Sequence, residues 1–209
     1  VSDMRKTAEF YQDTLGFQMV SEEKTTLGFA ASEGATPFLI LSEDKAANPA
    51  DRRYPGLFHA AYLYPNRKGL AKAFKRLYDQ RWPFQGFADH GVSEALYLAD
   101  PEGNGIELYA DRPRTEWQYL DGQLQMTTDQ LDVEKLLSEA SGDSESGNGI
   151  DPQTRIGHIH LQVSDLSKAE DFYRKLAGFD VTQRNYPGAL FVSAGGYHHH
   201  LGFNTLNSR

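Results

Sequence analysis

Apolar and polar positions fall into the same succession of short patterns three times along the chain. Met4, Ala8, Tyr11 and Leu15 recur at helical spacing, with Asp3 before them as an N-cap and Gly16 after them as a stop. The apolar runs 28–31 and 37–41 are short and read as strands of an antiparallel sheet. A second unit starts at Gly56. Residues 57–64 read as a strand, and 66–78 as a helix with Leu70, Ala73, Phe74 and Leu77 on one face. Three further strands are expected at 84–87, 95–99 and 105–110. The last two are joined by Asp100-Pro101-Glu102-Gly103-Asn104, a run of turn-forming residues. A third unit opens with the strand-like run 157–163 and continues to about Asn204.

The units are related as copies. Val1-Ser2-Asp3-Met4, Phe10-Tyr11 and Gly16-Phe17 recur at a constant offset as Val163-Ser164-Asp165-Leu166, Phe172-Tyr173 and Gly178-Phe179. Repeated spacing of this kind means one folding unit used more than once, so positions can be compared between copies. The first copy begins at Val1 and lacks nearly all of its opening strand, while a fourth unit is expected beyond the third. Between the second and third units, 111–125 is polar and irregular, 132–140 reads as a short helix, and 138–155 is a flexible acidic linker. The expected division is an N-terminal pair of units at 1–115, a connecting segment and linker at 116–155, and a C-terminal domain at 156–209 represented by its first unit alone.

Composition narrows the class. With 39% hydrophobic and 24% charged residues, the 209-residue chain has the make-up of a soluble globular protein. A net charge of -8 argues against nucleic acid as a partner. No apolar run approaches the roughly 20 residues of a membrane-spanning helix. The absence of cysteine removes thiolate chemistry and suits a cytoplasmic location.

The seven histidines carry most of the candidate chemistry. His59 and His158 stand seven residues before Asn66 and Asp165, so they occupy equivalent points of equivalent strands. Alternation puts His59, Ala61 and Leu63 on one face of their strand. In 105–109, Ile106 and Leu108 suit the layer under the helix, leaving Glu107 and Tyr109 on the opposite face. If two units pair into an open cup, His59 and Glu107 project into it together. Two histidines and one carboxylate leave coordination positions free for substrate and oxygen, which suits non-haem Fe(II). The same set also takes Zn, Mn or Ni. The second histidine is expected from the strand before Val1. His90, just before a strand, can move protons, and Tyr97, on that strand, can hydrogen-bond an oxygen bound at the site. His158, His160, His198 and His200 make a candidate second, histidine-only metal site. Each residue also has a plainer reading: His59 as a core histidine, His90 as a loop residue, Tyr97 as packing.

The repeated Val-Ser-Asp units, His59, and Asp100-Pro101-Glu102-Gly103-Asn104 leading to Glu107 together resemble the vicinal oxygen chelate superfamily. Residues 89–112 with Gly195-Gly196-Tyr197-His198-His199-His200 look like its catechol 2,3-dioxygenase-like members. The resemblance implies βαβββ modules paired into cup-shaped mixed sheets with helices outside, an α+β fold. It also implies a metal-dependent reaction on a bidentate-oxygen substrate, here a small aromatic diol cleaved with Fe(II) and dioxygen. By the resemblance His59 and Glu107 are metal ligands, and His90 and Tyr97 the accompanying histidine and tyrosine. Such dioxygenases usually carry the metal in the C-terminal module pair, whereas these residues lie in the N-terminal half. A glyoxalase-like isomerase, a thiol transferase and a non-catalytic binding protein share the same cup. The isomerase is disfavoured because 37–41 offers no fourth ligand. A homo-oligomer is compatible with the sequence.

Overall fold

The computed structural model of the chain describes residues 1–49, 51–140 and 149–208. Its first helix, α1 (Met4–Glu9), is capped by the Asp3 side chain, which accepts from Lys6 N–H. The helix loosens into a π-helical turn at Phe10–Thr14 before Gly16 turns the chain at φ +82°. The third unit repeats each device: Asp165 caps α4 (Leu166–Glu170), a π turn follows at Asp171–Leu176, and Gly178 takes φ +78°. Positive φ is the conformation that glycine reaches without a Cβ penalty, so both stops need that residue. In the second unit Asn66 caps α2 (Arg67–Asp79) by accepting from Gly69 N–H. Of the expected linker 138–155, residues 141–148 lie outside the described residues.

The strands are β1 (Gln18–Glu23), β2 (Thr26–Ala30), β3 (Leu39–Ser42), β4 (Gly56–Tyr64), β5 (Phe84–Asp89), β6 (Ser93–Ala99) and β7 (Gly105–Asp111). A small hairpin, β8 (Tyr119–Leu120) and β9 (Gln123–Leu124), is followed by α3 (Val133–Ser138). The third unit supplies β10 (Arg155–Gln162), β11 (Asp180–Gln183), β12 (Ala189–Ser193) and β13 (Leu201–Asn204). β1 and the hairpin are additions to the expected set.

Two sheets matter. β1, β2 and β3 form a three-stranded sheet, and the other long strands form an eight-stranded one in the order β11-β12-β13-β10-β4-β7-β6-β5. The eight-stranded sheet joins the second unit to the third through the antiparallel pair β4–β10. The units that share the large sheet are thus the second and the third, joined edge to edge. The physical reason is edge pairing. β4 already has β7 on one side, its other edge exposes unpaired peptide groups, and β10 fills that edge.

The two faces of this sheet are chemically distinct. On the outer face Tyr62, Leu96, Leu98, Ile106 and Leu108 are buried beneath Leu70, Phe74 and Leu77 of α2. Each such side chain contributes about 1.5–3 kcal/mol on burial. On the inner face lie Ala61, Leu63, Ala95, Tyr97 and Tyr109. This is the alternation expected from β4 and β7.

β4 and β7 approach closely at Gly105, where a Cβ would sit 2.1 Å from the Phe58 carbonyl oxygen and 3.1 Å from His59 Cβ. Gly105→Ala must therefore push two backbones apart beside His59. A loss of about 1–3 kcal/mol is expected from such overpacking. An unchanged denaturation midpoint would show that the strands separate freely at this point.

Candidate metal centre and active site

One rung across the sheet positions the centre. Tyr97 of β6 pairs with Glu107 of β7, Glu107 with Ala61 of β4, and Ala61 with His158 of β10. Ala61 carries only a methyl group, so the Glu107 carboxylate and the His158 imidazole meet across it. His59 stands two residues before Ala61 on the same face. His59 Nε2 lies 2.9 Å from Glu107 Oε2, and His158 Nε2 lies 3.1 Å from the same oxygen. All three side chains are buried. Among the described residues, this is the one group of three or more His, Asp or Glu ligand atoms that lie within 4.8 Å of one another.

The group fits a metal better than it fits itself. His59 Nε2 is at contact distance from the carboxylate but out of line for a hydrogen bond, so it is a buried nitrogen without a partner. His158 Nδ1 is likewise buried and unpartnered. Such groups are costly unless something completes them. Burial alone would raise the Glu107 pKa, but the His158 and His59 imidazoles hold it well below the usual carboxylate value. Burial in turn pushes the His158 pKa down, against the pull of Glu107. An ionised carboxylate beside a neutral His158 imidazole suits ligation of a divalent metal.

Above this floor opens a cavity of about 240 Å³. Its apolar walls include Phe58, Val92, Met126, Pro187, Phe191 and Leu206. His90, Tyr97, His160 and His199 also face it. His90 Nδ1 donates to the Thr127 carbonyl at 2.7 Å, so in the neutral ring Nε2 accepts from the Tyr97 hydroxyl at 2.8 Å. Desolvation and the Glu107 charge push the Tyr97 pKa well up, keeping it a phenol. His160 packs beside His59 with ring centroids 4.9 Å apart, and burial drives its pKa well down.

The loop carrying His90 is held by Asp89. Its carboxylate accepts from Gly91 N–H at 2.9 Å and from Arg112 Nη2 at 2.5 Å. Burial opposes ionisation, but these donors hold its pKa below the usual carboxylate value. Because the folded pKa is depressed, the stabilisation is complete above the unfolded pKa of about 3.9 and is lost as pH falls through the folded one. Asp89→Asn is therefore expected to lower the melting temperature at pH 7, with the gap to wild type closing in acid. A gap that stays constant with pH would exclude this ionic role.

The structure brings His59 and Glu107 together as expected. Beside them it places His158 of β10, which stands in the third unit at the position where a histidine of the first unit was expected, because β10 lies along β4. The four histidines grouped as a second site do not converge. His158 joins the centre and His160 flanks it. His198 Nε2 bonds Asp111, and His200 Nδ1 accepts from Ala194 N–H. Residues 195–200 form bends before β13, so strand alternation does not govern them. For the same reason the sequence reading passed over His199, the member of the run that enters the cavity. Its ring centroid is 4.1 Å from that of His158.

Comparison with known proteins adds the family. The model of the Glyoxalase/Bleomycin resistance protein/Dioxygenase superfamily matches residues 1–108 and 155–208. A protein named Catechol-2,3-dioxygenase from Bacillus subtilis is 47% identical over 213 aligned residues, covering 100% of this chain and 73% of that protein. Biphenyl-2,3-diol 1,2-dioxygenase 3 of Rhodococcus globerulus is 28% identical over 129 residues, 59% of this chain and 66% of its own length. Among solved structures, a glyoxalase/dioxygenase from Nostoc punctiforme aligns with a TM-score of 0.47 at 18% identity, covering 54% of this chain and 86% of that one.

Proposed function

Since the chain belongs to the Glyoxalase/Bleomycin resistance protein/Dioxygenase superfamily, we propose that it is an extradiol ring-cleaving dioxygenase acting on a catechol-type substrate with Fe(II) and O2. The observation that carries this reading is the three-residue centre of His59, Glu107 and His158 at the floor of an apolar cavity. Fe(II), when bound by these residues, supplies neighbouring positions for both diol oxygens and for dioxygen. Both oxygen atoms end in the cleaved product, so no external reductant is required.

The remaining residues do work of their own. Cavities of about 150 Å³ take up benzene, so about 240 Å³ accommodates a single ring with small substituents. Phe58, Phe191 and Met126 supply apolar walls for the ring face and exclude water. His199 presents an imidazole to the cavity beside the centre, placed to take a proton from a diol hydroxyl. Tyr97, whose hydroxyl proton is directed to His90, faces the cavity beside Glu107 as a hydrogen-bond acceptor.

Anaerobically purified protein loaded with Fe(II) should consume O2 with catechol and form a yellow ring-cleaved product. Retention of Zn or Ni with no oxygen uptake on any catechol would instead favour an isomerase or transferase.

A further inference from the structure

Behind His199 runs a line of hydrogen bonds that the ring-cleavage reading does not require and that ends on a carboxylate. His199 Nδ1 is 2.7 Å from His198 Nδ1, and His198 Nε2 is 2.9 Å from Asp111 Oδ1. Tyr197 donates to the same oxygen at 3.1 Å and accepts in turn from Tyr109 at 2.8 Å. His198 is fully buried and His199 about nine-tenths buried. Asp111 sits at the end of β7, on a second, polar cavity that it shares with Tyr197, His200, Arg114 and Arg155.

The direction of each bond follows from what the atoms can do. A carboxylate only accepts, so the proton between Asp111 and His198 belongs to His198 Nε2. A neutral His198 then has a bare Nδ1, which accepts. In that state the proton between the two imidazoles comes from His199 Nδ1, leaving His199 Nε2 as a lone pair. No protein group among the described residues meets that atom, and its ring lines the cavity. Every donor in the line points toward Asp111.

We propose that Asp111, acting through His198, is a positioning residue that fixes His199 with its proton on Nδ1 and its Nε2 lone pair in the cavity. This rests on the dioxygenase reading, in which His199 Nε2 takes the proton of a catechol hydroxyl. The proton passes from substrate oxygen to Nε2. The imidazolium so formed keeps its Nδ1 proton toward His198, where the carboxylate beyond stabilises it. A misoriented tautomer would place an N–H where a base is needed.

The test uses histidine-labelled, metal-free protein and long-range 15N–1H correlation spectra, with His198 and His199 assigned by single substitution. His199 is expected as the Nδ1–H tautomer and His198 as the Nε2–H tautomer. Asp111→Ala should release both into mixtures. In the Fe(II)-loaded enzyme it should lower kcat about 10- to 100-fold, short of the full general-base effect, while KM and metal content stay within about twofold. Asp111→Glu should restore part of kcat. A wild-type spectrum with His199 protonated on Nε2, or with His198 as imidazolium, overturns the proposal even if the alanine variant does not fold. An unchanged kcat in Asp111→Ala overturns it as well. Wild-type protein with the expected tautomers that cleaves no catechol overturns the dioxygenase reading and leaves the tautomer assignment supported. Active protein with the opposite tautomers does the reverse.

Discussion

His158→Ala is expected to release the metal and to lower kcat/KM at least roughly 10³-fold, about 4 kcal/mol of transition-state stabilisation. Three facts set the size of the effect. Among the described residues, His158 is one of the three His and Glu residues whose ligand atoms converge. It is buried, so no solvent-exposed neighbour replaces it without rebuilding the cavity wall. Its loss also removes the partner that helps to hold Glu107 ionised. The metal-to-protein ratio after gel filtration measures the first part and oxygen uptake the second. His160→Ala is the control, since His160 lies beside His59 on the same sheet but outside the converging group. Full metal content in His158→Ala would place the third ligand elsewhere.

His199→Gln is expected to lower kcat about 10²- to 10⁴-fold, the range of a lost general acid or base, with the metal retained. His199 lines the cavity outside the converging group, with its Nδ1 engaged by His198. The effect should therefore fall on kcat and leave the metal-to-protein ratio near that of wild type. Single-turnover measurement with a catechol separates the two outcomes. Loss of metal in this variant would make His199 part of the ligand shell and not a proton acceptor.

Much of this arrangement is written in local patterns. Asp3, Asn66 and Asp165 are caps because short acceptors at those points satisfy free helix N–H groups, and each does so. Glu107 could be placed opposite Ile106 and Leu108 because strand alternation is a rigid rule where one face is buried. The equivalence of His59 and His158 followed from the repeat, and it is what brings both to one centre. What the sequence did not carry is which units meet. β4 pairs with β10 through backbone groups that every strand possesses, so no side-chain pattern announces the choice. β1 escaped because nearly all its residues are exposed and it shows no alternation. His199 escaped because a run of bends has no period from which to read direction. Asp111 read as the first residue of a polar, irregular segment, and only the approach of residues 197–198 gives it a chemical role.

On the proposed reading the second and third units together build one metal centre. Diffraction from Fe(II)-loaded crystals, recorded on both sides of the iron absorption edge, measures where that metal sits. One anomalous peak is expected, bounded by His59, Glu107 and His158. A peak among His198, His200 and Asp111, or one held by His59 and Glu107 with His158 turned away, would contradict it.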